Sequence, residues 1–283
     1  MRLRHLVSLL ILLIFPILPS QGHAKVEWSI YRTLNLDAQP LDVAVSVNGR
    51  WIFVLTEQSD ILIFLDGNLE DRIKVGNHID QIEVGPREEL LLLKSRQNKT
   101  IQVLALEFIK DINIIESPFK GPVDAPVVIA IFSDFQCEYC KALLPLLDQV
   151  ADLYPDKIKI VFKNFPLKMH KLASKAAIAA LAANSYDLFW QYHDRLFDSQ
   201  GQLSDQKFLD IAAQLGINQK DFEREMGNPQ ILSIIQKDLQ DGQKAGVRSV
   251  PSVFINGRML KERSLKGFQT VIDKELNKKE SAH

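Results

Sequence analysis

The chain has 283 residues, 46 % of them hydrophobic, and a formal net charge of −1. That length allows two modest domains, and that hydrophobic content excludes wholesale disorder. A near-balanced charge implies no strongly basic face, so nucleic acid is not an expected partner.

Arg2 and Arg4 open the chain, an apolar stretch runs from Leu6 to Leu18, and Gly22-His23-Ala24 supplies small residues for cleavage. This reads as a signal peptide over residues 1–24. The stretch is short for a membrane span and contains Pro16, with an uncleaved N-terminal anchor as the alternative. No cysteine follows it closely, so lipid attachment there is excluded. Either version sends the protein to the periplasm or another exported, oxidising location.

Residues 25–116 read as strands. Short apolar, β-branched runs occur at Val43-Ala44-Val45, Trp51 to Leu55, Ile61 to Leu65, Leu90 to Leu93 and Ile101 to Leu104. Turn chemistry separates them at Asn48-Gly49, Asp66-Gly67-Asn68, Gly76-Asn77 and Gly85-Pro86. Asp42 to Leu55 also aligns with Asp80 to Leu93 at a spacing of about 38 residues, near the period of a four-stranded propeller blade. The run from Asp42 to Arg50 resembles the blade signature of YVTN or NHL-type propellers, with a decayed second copy. Two blades cannot close a propeller of about four to eight. The region is therefore expected to be a small antiparallel, propeller-blade-like β domain. Its open edges either pair in a homo-oligomer or belong to a monomeric spacer.

Pro118 and Gly121-Pro122 mark a boundary, and residues 117–283 form the second expected domain. A buried strand is expected over 127–133 and a helix begins at Cys137. A second strand follows over 158–163, then helical stretches at Leu172 to Ala183, Tyr186 to Phe197, Gln206 to Leu215 and Pro229 to Ala245. Val253 to Asn256 is a strand, Asn256-Gly257 a two-residue hairpin turn, Met259-Leu260 its partner, and a last helix starts near Leu265. This is an α/β arrangement with an inserted helical bundle. Phe189, Trp190, Tyr192 and Phe197 read as the core of that insert.

The chain's two cysteines are Cys137 and Cys140, in the order Cys-Glu-Tyr-Cys. Cys137 sits where the strand turns into a helix, and the unpaired N–H groups there favour a thiolate. A partner one turn later completes what reversible dithiol–disulfide exchange requires. A CxxC can also be half of a zinc site. Zinc would then need His170, His193 or carboxylates in no recognisable spacing, so neither a metal nor a cofactor beyond the redox pair is expected.

From Ser117 onwards the sequence resembles the DsbA-like branch of the thioredoxin superfamily. The resemblance rests on Gly121 to Pro126, Phe132 to Cys140, Phe162-Lys163-Asn164-Phe165-Pro166-Leu167, and Gly246 to Gly257. It implies a thioredoxin-like fold and protein disulfide oxidoreductase activity. It also implies a cis Val250-Pro251 peptide facing the cysteines, where Val250 and Pro251 position an extended substrate. A trans proline opening the strand is the plainer alternative. Relatives often carry a buried acid six residues before the first cysteine, serving proton transfer to the second. Here that position is Ile131, leaving Asp134 and Lys163 as the nearest charged candidates. Glu138 opposes thiolate formation at Cys137, Lys141 favours it, and Tyr139 completes the inner pair. His170 and His193 read as structural or surface residues.

The expected function is an exported thiol:disulfide oxidoreductase acting on protein thiols and disulfides with an unidentified redox partner. Whether it serves as oxidase, isomerase or reductase is not written in the spacing. The alternative is an interaction or assembly protein whose β domain binds a partner while the thioredoxin domain is a scaffold.

Overall fold

The computed structural model describes residues 26–280 apart from residue 88. The expected signal peptide at 1–24 lies outside the described residues. The chain divides into two compact units, Met1–Ala105 and Leu106–His283.

In the first unit, β1 (Pro40–Val45), β2 (Trp51–Thr56), β3 (Asp60–Leu65) and β4 (Asn68–Lys74) form a four-stranded antiparallel meander. A three-stranded meander follows, of β5 (Gln81–Val84), β6 (Leu90–Ser95) and β7 (Thr100–Ala105). The sequence repeat maps onto them: β1 and β5 open the two copies, and β2 and β6 are their central apolar strands. Asp42 joins the copies, its Oδ2 accepting the Ile82 N–H at 2.8 Å. Phe53, Leu55 and Ile61 are wholly buried, as a continuous apolar run demands.

Strands β4 and β5 are not foreseen from periodicity. The sequence of β4, Asn-Leu-Glu-Asp-Arg-Ile-Lys, is polar and its strand almost wholly exposed. It forms as an edge because β3 offers a free hydrogen-bonding side and Asp60 receives Arg72 and Lys74 at 3.1 and 3.3 Å. Charged edge strands also resist pairing with other chains.

The second unit is a five-stranded sheet in the order β12-β11-β9-β10-β8. Its strands are β8 (Phe119–Lys120), β9 (Val127–Ser133), β10 (Ile158–Asn164), β11 (Ser252–Ile255) and β12 (Arg258–Met259). Strand β10 runs parallel to β9, joined through α1 (Glu138–Leu153), whereas β11 runs antiparallel to it. The insert between β10 and β11 contains α2 (Ala173–Asn184), α3 (Phe189–Asp198), α4 (Asp205–Gln214), α5 (Gln219–Met226) and α6 (Pro229–Ala245), and α7 (Leu265–Glu280) closes the unit. Val127, Ile129 and Ile131 of β9 pack with Leu143, Leu147, Phe268 and Ile272 of α1 and α7. Phe132 and Phe254 belong instead to the core shared with the insert. Alternation along a pleated strand thus serves two layers. Helix α5 escapes the apolar pattern because it buries only Phe222; its signal is the Asn218 side chain, which caps Lys220 and Asp221.

The boundary between the units falls between Ala105 and Leu106, ahead of the break expected at 116/117. Residues 106–116 belong to the sheet unit through specific contacts. Lys110 N–H donates to Gly257 O at 2.8 Å, Glu107 pairs with Arg258, and Asn113 O accepts from Lys163 at 2.6 Å. None of these distant partners is visible in local composition. Asn256 and Gly257 have φ of 44° and 78°, the geometry of a primed two-residue turn between β11 and β12.

Candidate active site

Strand register brings the site together. Asn164, at the end of β10, pairs with Ser133, at the end of β9, and Ser252, at the start of β11, pairs with Phe132. The loops after β9 and β10 and the loop before β11 therefore meet at one end of the sheet's inner strands. Helix α6 fixes the last of these loops. Gly246 takes φ 84° beyond its end, with Gly246 N–H on Gln243 O and Val247 N–H on Gly242 O. This double closure releases the chain directly into Val247–Pro251.

Cys137 is the N-cap of α1, with extended backbone angles, and its carbonyl accepts from Cys140 and Lys141 N–H at 3.0 and 3.2 Å. Its Sγ–H donates to Val250 O at 3.6 Å, and the Val250–Pro251 peptide is cis. The four residues singled out in sequence as catalytic and substrate-positioning thus stand together. Arg263 Nη1 holds the loop from behind, donating to Pro251 O at 2.6 Å. Sequence reasoning did not identify Arg263.

Both cysteines are free and buried, with 7 % of Cys137 and 1 % of Cys140 exposed. Burial pushes the Cys140 thiol up to about 12, while the Ser133 side chain and the Asp134 backbone pull against it. A thiol so placed stays protonated until something removes its proton. Glu138, Tyr139 and Lys141 lie on the exposed first turn, Tyr139 with 78 % of its surface open.

Asp134 and Lys163, the charged candidates nearest the pair, are each held by a network of their own. The buried Asp134 carboxylate accepts Gln136 and Leu167 N–H, both at 2.7 Å, and its Oδ2 meets His170 Nδ1 at 2.9 Å. It welds the loop after β9 to the loop after β10. Its backbone carbonyl accepts Cys137 N–H at 3.1 Å. Lys163 Nζ contacts Asp238 at 2.6 Å, Asp241 at 3.1 Å and the Asn113 carbonyl at 2.6 Å. Those partners tie β10 to α6 and to the residues before β8, and none of them is a cysteine. Among the described residues, no three His, Cys, Asp or Glu side chains are grouped to hold a metal ion.

Comparison with known proteins agrees with this geometry. A family model described as Thioredoxin matches residues 114–274. The chain is 30 % identical over 170 residues to the probable disulfide bond formation protein D of Bacillus anthracis, covering 56 % of this chain and 77 % of that protein. It is 29 % identical over 157 residues to Na(+)/H(+) antiporter NhaA 1 of Mycolicibacterium vanbaalenii, covering 54 % of this chain and 25 % of the antiporter. The chain thus spans about a quarter of the length of that relative. The crystal structure of oxidised BdbD from Bacillus subtilis matches with a TM-score of 0.55 at 23 % identity, over 60 % of this chain and 98 % of that one. This last likeness is one of fold.

Proposed function

Because this chain belongs to the thioredoxin family, we propose that it is a protein thiol:disulfide oxidoreductase working outside the cytoplasm. The observation that carries this reading is Cys137 Sγ at the head of α1, 3.6 Å from the Val250 carbonyl, with Cys140 one turn behind.

In the reducing direction, the Cys137 thiolate attacks a substrate disulfide. A Cys137–substrate disulfide forms and the other substrate sulfur leaves as a thiolate. Cys140 then attacks the Cys137 sulfur, closing the Cys137–Cys140 disulfide and expelling the second substrate sulfur. The substrate gains two electrons and the pair loses them. The same steps in reverse oxidise a substrate dithiol, and the difference in reduction potentials sets the direction. Val250 and Pro251 hold the substrate strand across Cys137, and the exposed Tyr139 gives it an apolar surface. The electrons travel on the two sulfurs alone.

Export rests on the basic start and apolar run of residues 1–24, and an oxidising compartment suits a pair that must be reoxidised. The test is equilibration of the purified protein with graded glutathione redox buffers, followed by thiol trapping. A single two-electron transition is expected, absent in Cys137→Ser, with Cys140→Ser accumulating mixed disulfides. Wild-type protein unable to exchange with any dithiol would overturn the reading. A scaffold protein, in contrast, would keep its cellular phenotype with both cysteines changed to serine.

A further inference from the structure

A cavity of about 220 Å³ lies against Cys140, lined by Ile131, Ser133, Cys140, Phe162, Trp190 and His193 among others. It borders the second cysteine, and Cys137 is not part of its wall. Four charged residues also contribute to the wall: Lys120 from β8, Asp148 from α1, and Asp194 and Asp198 from α3. Lys120 and Asp148 pair with each other at 3.2 Å, and Lys120 stands 5.2 Å over the Trp190 ring.

His193 is the buried imidazole of this wall. Only 3 % of it is exposed, inside a cage formed by the rings of Phe135, Phe162, Phe189, Trp190 and Phe197, 4.9 to 5.9 Å away. Its Nδ1 lies 2.8 Å from Asp194 Oδ1. A carboxylate at Nδ1 selects the tautomer with its proton there, which leaves the Nε2 lone pair as the acceptor. Asp194 is itself 70 % exposed at its side chain, so a proton on this ring has a way out to solvent. An aromatic cage alone does not account for an imidazole; a phenyl ring would fill it without the desolvation cost.

We propose that His193 accepts the Cys140 proton through water in this cavity, supplying the base that β9 lacks because it carries Ile131 facing the same space. The inference rests on the oxidoreductase reading and deepens it. As Cys140 attacks the Cys137–substrate disulfide, its S–H bond breaks and the proton passes by water to Nε2. The Cys137–Cys140 bond forms, the substrate leaves as a thiolate, and the imidazolium returns its proton to solvent past Asp194. In the opposite direction, the ring first takes a proton from solvent past Asp194 and passes it by water to Cys140 as that sulfur is expelled from the Cys137–Cys140 bond. Burial holds the His193 imidazole below its ordinary value, so it is neutral and able to accept at neutral pH. A cavity of this size holds several waters, and Ser133, Cys140 and His193 supply polar partners.

The experiment is single-turnover release of a chromophoric aromatic thiolate from a mixed disulfide preformed on Cys137, which reads the Cys140 step alone. Alkylation of Cys137 by iodoacetamide reads the first sulfur separately. His193→Gln should slow release at neutral pH by at least about tenfold, with Cys137 alkylation unchanged. Its release should recover as pH rises and hydroxide replaces the ring. The wild-type rate should show one inflection below the ordinary histidine value of 6.5, and this needs no variant to fold. A wild-type profile that climbs only with the thiol's own ionisation would overturn the proposal. So would unchanged release in His193→Gln, or equal slowing of both readouts, which marks a packing role. Failure of the wild type to release any thiolate would instead sink the oxidoreductase reading, and this inference with it.

Discussion

Asp134 Oδ2 lies 2.9 Å from His170 Nδ1 and 2.7 Å from the Leu167 N–H, joining two loops that are 36 and 33 residues apart in sequence. The other oxygen, Oδ1, accepts Gln136 N–H at 2.7 Å, so one buried carboxylate shapes the turn that leads into Cys137. Asp134→Ala removes this acceptor and strands two backbone donors. The expected loss of stability is about 3 kcal/mol in urea unfolding. His170→Ala leaves both backbone bonds in place and should cost distinctly less. Equal losses in the two variants would contradict this division of labour.

The reduced protein should weaken in alkali through Cys140. Burial raises this thiol from 9.0 to about 12. Between those values the unfolded chain has released a proton that the folded chain still holds. The contribution of Cys140 is therefore complete below about pH 9 and disappears as pH climbs towards about 12. The measurement is the urea midpoint across that range for the reduced protein and for Cys140→Ala. The wild type should fall more steeply, and parallel curves would refute the assignment. Comparison with the variant is needed because burial also raises Tyr154, to about 12, and Tyr192.

What could be read from the sequence is what local chemistry encodes. The apolar run Val127–Ser133, the Pro229 start and Gly246 stop of α6, and the Asn256-Gly257 turn carry their signals within a few residues. So does the Cys137–Cys140 pair at a helix head. The hidden parts depend on distant partners. Strand β4 exists because Asp60 and the edge of β3 receive it, and α5 contributes a single buried side chain. Lys163 is only a charge on the expected strand 158–163 until α6 supplies Asp238 and Asp241, 75 and 78 residues later. His193 reads in sequence as a structural or surface residue, and its ring sits among aromatics; only the fold lays it along the same cavity as Cys140.

Lys163 and Asp238 make a further prediction, with a definite sign. Both side chains are almost fully buried, at 1 % and 2 % exposure, and 2.6 Å apart. Burial pushes the Asp238 carboxyl up, against the pull of Lys163 and of two donors from Asn164. Lys163→Met leaves that carboxylate buried without its cation, a change worth about 3–5 kcal/mol. Protonation relieves the strain, so the deficit should be large at neutral pH and shrink as pH falls through the raised carboxyl value. Unfolding of variant and wild type at about pH 4.5 and about pH 7 tests it. A deficit that stays constant with pH would show that Asp238 is not the group left uncompensated.

Tyr139 offers a test of how substrates are held. It sits between the two cysteines on the first turn of α1, with 78 % of its surface exposed and no role in the core. A large aromatic there can cover an apolar side chain of a substrate strand lying against Val250. Tyr139→Ala should therefore leave folding stability within about 0.5 kcal/mol of wild type. Exchange with glutathione, too small to reach across the turn, should be nearly unaffected. Exchange with an unfolded protein disulfide should instead show a KM several-fold higher at similar kcat, because the lost contact is made equally in the ground and transition states. A fall in kcat with both substrates would place Tyr139 in the chemistry of the pair, contrary to the role assigned here.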